Sequence, residues 1–298
     1  MDVSEGRTPL TIDGLTGLPL EPASAPKLTI EDRAALSEAV RLLEYESFTA
    51  RVTYALGRGV SGVGAFMPDM ARKLASRAAS AALKRALKVA ISSIDPTKAE
   101  PARSGLHKGL LTASGAAGGA FGIAALPLEL PVSTVLVLRS IADIARAQGE
   151  DLSQPEAALA CMEVFALGGR TSVDDQMDSA YFALRAVLAT SVSEAAKHVA
   201  RHGLSGAGAP IMVRLISQIA GRFGIVVSQK LAVQSVPVIG AIGGGAINYA
   251  FAEHFTGLAR GHFTVRRLER TYGEEAVRGE YERLAVIWRK NRDDAAKR

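Results

Sequence analysis

With 298 residues, 48% hydrophobic and 22% charged, the chain is long enough for one large domain or two small ones and can bury a sizeable core. Its only cysteine, Cys161, excludes an intrachain disulfide and a cysteine-based zinc site and fits a reducing cytoplasm. A formal net charge of +5 suits an anionic membrane surface or nucleic acid, and the former is the partner expected here.

Residues 1–28 read as a flexible arm, acidic and rich in Gly and Pro, without the basic start and apolar run of a secretory signal. Thr29 stands as an N-cap ahead of Glu31 and Asp32, and Leu36, Val40, Leu43 and Tyr45 begin a helical apolar face. Helix is expected to continue from Phe48 to Phe66, weakened by Gly57, Gly59, Gly62 and Gly64 and ended by Pro68. Asp69 then caps a basic amphipathic helix over 69–93. Its apolar side is Met70, Leu74, Ala78, Leu83, Leu87 and Val89, set among Arg72, Lys73, Arg77, Lys84, Arg85 and Lys88. Such a helix serves a membrane surface or nucleic acid, or is simply the solvated face of a bundle.

After a linker with Pro96 and Pro101, the 20 residues from Gly109 to Leu128 carry no charge. Gly115 and Gly119, and Gly118 and Gly122, recur at a spacing of four, which lets another backbone approach closely. The length suits a membrane span, but Ala and Gly contribute little transfer energy. Pro127 and Pro131 predict a helix break, with a new helix from about Val132 to Gln148 ended by Gly149. Ser153, Pro155 and Glu156 start the next helix, which stops at Gly168-Gly169. Asp174 to His202 reads as one helix or a pair, followed by a loop and helices over 211–221 and 224–235. A second uncharged stretch of 22 residues, Leu231 to Ala252, contains Pro237 and the four-apart pair Gly240 and Gly244. Beyond it the chain is charged and helical to Arg289.

No alternating strand pattern and no fixed repeat occurs. The expectation is an all-α, irregular multi-helix bundle with two Gly/Ala-rich apolar segments: arm 1–28, helical domain 29–290, polar tail 291–298. Aromatics at 5% point to close helix contacts through small side chains rather than an aromatic core.

The run LPLELPVSTVLVLRSIADIARAQGEDLSQPEAALACMEVFALGG, Leu126 to Gly169, resembles the EcsC protein family, a bacterial family named for a member encoded beside an ABC transporter. The specific parts are Pro127, Glu129 and Pro131, then Arg139-Ser140-Ile141-Ala142, the closing ALGG, and Pro237 to Asn248. The resemblance runs from about residue 30 to 290. It implies a mostly helical domain and, through the transporter neighbour, business at the membrane; it implies no reaction.

Among polar candidates, Glu129 sits between two prolines in an uncharged stretch, and a buried carboxylate there needs a cation. Arg139 is the nearest downstream, and Asp143 shares its helix face. Glu163, amid Cys161, Met162, Val164 and Phe165, completes the cluster or is solvated. Glu194, His198 and His202 share a face but span about 12 Å, too far for one metal ion. Asp174, Asp175 and Asp178 suit a helix start through the dipole. Asn248, beside Tyr249, is placed to hydrogen-bond between helices. Cys161 reads as an inert core thiol. Neither a nucleophile elbow at Ser61 nor a phosphate loop is present, and Gly57, Gly59 and Gly62 match a dinucleotide spacing with no preceding strand. No metal or cofactor is expected.

Three functions remain open: a cytoplasmic protein that binds or partly inserts into the inner membrane through lipid or a membrane protein; a soluble bundle enclosing a lipid or acyl chain; and an enzyme using Glu129 and Arg139. Nucleic acid is not expected as a partner.

Overall fold

The computed structural model describes residues 27–56, 69–92, 126–169, 179–203, 208–234 and 240–296, and among them regular structure is helical throughout, without a strand. In chain order the helices are α1 (Ile30–Val40), α2 (Phe48–Leu56), α3 (Asp69–Ser92), α4 (Leu126–Ala147), α5 (Pro155–Leu167), α6 (Ala180–His202), α7 (Pro210–Gln234), α8 (Gly240–Tyr272) and α9 (Glu274–Ala296), with a π-helical turn at Arg41–Tyr45 after α1. Thr29 caps α1 as expected, its hydroxyl accepting from the Asp32 amide at 3.1 Å. The expected α-helical bundle is the fold this chain adopts.

α5 lies at the centre. Every residue from Ala157 to Leu167 is buried, because a helix that is apolar on all sides must be enclosed. α3, α4, α6, α7 and α8 surround it. α8, 33 residues long, is the spine against which α1, α2, α4, α5, α7 and α9 pack. α3 meets its neighbours through small residues, with Ala75, Ala78, Ala79, Ala82, Ala86 and Ala90 facing in. The middle of the core differs from the small-residue expectation. Phe165 packs on Phe223 and Phe255 at 5.2 Å between ring centroids, and Phe251 on Phe255 at 5.0 Å. Few aromatics suffice because they converge.

Two glycine positions are dictated by contacts. A Cβ on Gly169 would meet the Arg222 carbonyl oxygen at 2.0 Å, and one on Gly168 the Phe255 ring at 2.7 Å. The Gly168-Gly169 stop therefore lets the end of α5 press against α7 and α8. Gly149, at φ +82°, closes α4 in a Schellman turn, with its own amide donating to Arg146 and that of Glu150 to Ala145.

Several boundaries move. α4 runs unbroken through Pro131, against the predicted break. The proline forfeits one backbone hydrogen bond near the helix start, while full burial of Leu130 and near-full burial of Glu129 hold the first turn in place. α7 is one helix rather than two, since Gly221 and Gly224 face open space and its other side is buried. Gln154, not Ser153, occupies the cap position of α5; Ser153 instead donates to Asp151 at 2.7 Å. Gly115, Gly118, Gly119, Gly122, Asp174, Asp175 and Asp178 lie outside the described residues. Gly240 opens α8 and Gly244 is buried in its second turn.

Candidate functional site

Glu129 enters the core on the first turn of α4 because Leu130 beside it is fully buried. The cation that meets it is Lys230 near the end of α7, not the expected Arg139. Lys230 Nζ donates to Glu129 Oε1 at 2.7 Å, with side-chain exposures of 0% and 6%. Burial pulls the lysine below its ordinary pKa and the Glu129 carboxylate draws it back up. The ammonium also lies 4.7 Å from the centroid of the Phe251 ring. Asp143 takes its hydrogen bond from Arg146 at 3.1 Å, and Arg139 sits half-buried one turn earlier.

Glu163 projects from the buried α5 towards His262 of α8, with 3.9 Å between Glu163 Oε2 and His262 Nε2. That imidazole nitrogen has no hydrogen-bond partner. Burial pushes the Glu163 carboxyl up to about 7, against the pull of Arg185 and Arg266. Burial pushes His262 well below its ordinary value, and the same two arginines push it further. His262 is therefore uncharged around neutral pH whatever the state of Glu163, and the contact is not an ion pair. His262 Nδ1 lies 3.0 Å from the Tyr181 hydroxyl, which accepts from Arg185 Nη1 at 3.3 Å. Arg185 grips Glu269 with two bonds, 2.7 and 3.1 Å. Glu163 does not complete a cluster with Glu129: His262 follows Phe251 by 11 residues on α8, about 16 Å along the axis.

The Arg185–Glu269 pair forms part of the wall of a cavity of about 610 Å³. The same cavity is lined by Glu150, which accepts from Arg266 at 2.8 and 3.0 Å and from Arg270. The Schellman turn at Gly149 aims Glu150 there. Burial alone would raise its carboxyl, but the two guanidiniums hold it below the ordinary range.

Beside the same Tyr181, the π-helical turn turns Glu44 inwards. Its Oε1 accepts from the Ser179 hydroxyl at 3.0 Å, the Tyr181 amide at 3.2 Å and the Tyr281 hydroxyl at 3.0 Å. The remaining candidates stay apart. Glu194 pairs with Arg214, and the His198 and His202 rings stack at 4.4 Å. Asn248 is fully buried in α8, while Tyr249 is 48% exposed. Cys161 is buried, its thiol pushed up to about 12 by burial, and so remains protonated. Among the described residues no three His, Cys, Asp or Glu side chains converge as metal ligands.

Lys230, His262, Tyr181 and Glu44 escape a sequence reading. Each stands on a helix whose neighbours give no hint of which face turns inwards, and each finds its partner more than 80 residues away. The one available signal was Lys230, a single cation immediately before an uncharged stretch.

The model of the EcsC protein family matches residues 71–268, two thirds of the chain, within the stretch that carries the resemblance. No curated protein and no solved structure matches it.

Proposed function

The chain belongs to the EcsC protein family, and from that premise we propose a cytoplasmic, non-catalytic accessory protein that binds the surface of the inner membrane. The observation that carries this reading is the outer face of α3. Arg72, Lys73, Arg77, Lys84, Arg85 and Lys88 are all exposed, and from Met70 to Ser92 the helix contains no carboxylate. Among the described residues, Lys73, Arg77, Lys84, Arg85 and Lys88 have no acidic partner. Each cation held against an anionic leaflet contributes about 1 kcal/mol, reduced by salt. Met70 is 83% exposed, but the rest of the apolar side of α3 is buried or half-buried against the bundle, so attachment is electrostatic rather than by burial of an amphipathic face in lipid. The helix has no aromatic side chain for stacking on a base, and the uncharged run 109–128 follows it, which favours membrane over nucleic acid.

The test is co-sedimentation with vesicles of phosphatidylcholine alone or mixed with anionic phosphatidylglycerol, at about 0.1 M and about 1 M salt. Binding only to anionic vesicles, released by high salt, is expected. No binding at low salt overturns the proposal. Retention through carbonate until detergent replaces surface attachment by insertion.

A second reading has its own observation. A cavity of about 630 Å³ lies between α2 and α8, floored by Ala50, Gly245, Ala246 and Ala250 and flanked by Tyr54 and Tyr249. Its size and small apolar floor suit a single lipid chain. Native mass spectrometry showing neither co-purified lipid nor lipid uptake removes this reading.

A further inference from the structure

The cavity between α2 and α8 is graded from one end to the other. The π-helical turn and α2 run antiparallel to α8, since Leu43 lies against Gly261 while Phe48, further on, packs on Phe251 and His254 with ring centroids 6.2 and 5.8 Å apart. Tyr54 and Ala55 therefore come beside Gly245 and Ala246 at an apolar end, and Glu46, Ser47 and Arg51 beside Glu253 at a polar one. Helical spacing produces the gradient. Gly245, Tyr249 and Glu253 recur every four residues on α8, and Ser47, Arg51 and Ala55 do so along α2. Each helix thus offers the groove one stripe that passes from charged to small. Tyr54 is 91% and Tyr249 48% exposed, so both rings stand at the mouth.

The charges at the polar end are balanced. Arg51 pairs with Glu46, Glu46 also with Arg41, Arg41 with Glu38, and Glu253 with Arg260 at 3.7 Å, so three guanidiniums meet three carboxylates. A head group of one sign would leave an excess charge in a part-buried site; a head group that carries both signs does not. Arg51 shares Glu46 with Arg41, and the fork of donors on its guanidinium has capacity for a phosphate oxygen. Glu253 stands one turn after Tyr249 on the same face of α8. A carboxylate beside an aromatic ring is the combination that holds an alkylammonium, and a carboxylate accepts several donors at once, so the contact with Arg260 does not exclude another.

We propose, resting on the reading that this cavity takes a lipid chain, that its occupant is a single-chain zwitterionic phospholipid. The phosphate meets Arg51, the ammonium lies between Glu253 and Tyr249, and the acyl chain runs over Ala50, Ala246 and Gly245 past Tyr54. The volume of about 630 Å³ is that of a site for one small ligand, and the small side chains of the floor leave the chain its room. The two lipid contacts of the protein then differ in kind: the cations of α3 meet an anionic surface, whereas the balanced groove selects a head group without net charge.

Calorimetric titration of the full-length protein with lysophosphatidylethanolamine and with lysophosphatidylglycerol of the same acyl chain, both below their micelle concentrations, is the test. The zwitterionic lipid is expected to bind about tenfold more tightly. Ala246→Phe, which fills the floor, should abolish binding of both, and Glu253→Gln should keep chain binding and lose the preference. Equal binding of the two lipids by the wild type, or tighter binding of the anionic one, overturns the head-group assignment and leaves the acyl-chain reading standing. Binding of neither removes both. A preference that survives Ala246→Phe places the lipid elsewhere and overturns the proposal, as does one that survives Glu253→Gln.

Discussion

Lys230 and Glu129 are two buried charges that need one another. Removing one leaves the other uncompensated in the core, a loss of about 3–5 kcal/mol, whereas replacing both with apolar groups of similar volume is close to neutral. Lys230→Met is therefore expected to lower urea stability by about 4 kcal/mol, and Glu129→Leu combined with Lys230→Met to recover most of it. Full additivity of the two losses would show that they do not act as a pair. Glu163 gives a prediction of opposite kind. Its folded-state value of about 7 lies above the ordinary 4.5, so the folded state holds a proton that the unfolded chain releases. Stability from this group is present below about pH 4.5 and is lost as pH rises to about 7. Buried His254 and His262 titrate in the opposite sense, because both are lowered by burial. The comparison is therefore between wild type and Glu163→Gln at each pH. Relative to the variant, wild type should lose up to about 3 kcal/mol between about pH 5 and 8. A difference that does not change with pH refutes it. Of these residues, Glu129 was legible as an unusual carboxylate in apolar surroundings, whereas Glu163, read as completing its cluster or as solvated, is buried and apart from it. Their partners were not legible, because a partner is chosen by which helix faces meet, and sequence spacing says nothing of that across 101 residues.

At the scale of elements, the end of α5 is a contact between backbones. Gly169→Ala places a Cβ 2.0 Å from the Arg222 carbonyl oxygen, and backbone, unlike a side-chain tip, cannot swing aside. A loss of about 3 kcal/mol is expected, read as a lower melting temperature. Gly221→Ala, with open space around its Cβ in the middle of α7, should instead be neutral or stabilising. Equal effects at the two positions would mean that helix propensity, not close approach, explains the glycines. The Gly168-Gly169 stop was readable as a helix end; that it is also a packing site required the neighbouring helix. The same division applies to α4. Proline chemistry correctly disfavours helix at Leu130, but burial of Leu130 and the ion pair of Glu129 outweigh the local preference. Local rules state a preference of a kcal/mol or so, and core burial exceeds it.

For the whole molecule, the charge asymmetry of α3 is the feature that reaches outside. Lys84, Arg85 and Lys88 are exposed and have no acidic partner among the described residues. Changing all three to Glu should leave the helical signal and melting temperature nearly unchanged and abolish co-sedimentation with anionic vesicles. Undiminished binding would transfer the membrane contact to another surface. α7 is the one helix among the described residues long and apolar enough to cross a membrane. It also contributes Met212, Leu215, Ile219 and Phe223 to the core and holds the buried Lys230, so the same apolarity is accounted for by the bundle.

The sequence alone determined the helical class, most helix starts and stops, and the basic character of α3, because these follow from periodicity, caps, glycines and prolines within a few residues of each other. It also identified the family. The tertiary structure decided which carboxylates are buried, that Lys230 and His262 rather than Arg139 meet them, and that Phe165, Phe223, Phe251 and Phe255 gather into one nucleus. Those outcomes depend on the rotation and crossing of helices far apart in the chain. Desolvation, which gives Glu163 its shifted titration, exists only once α5 is enclosed on all sides.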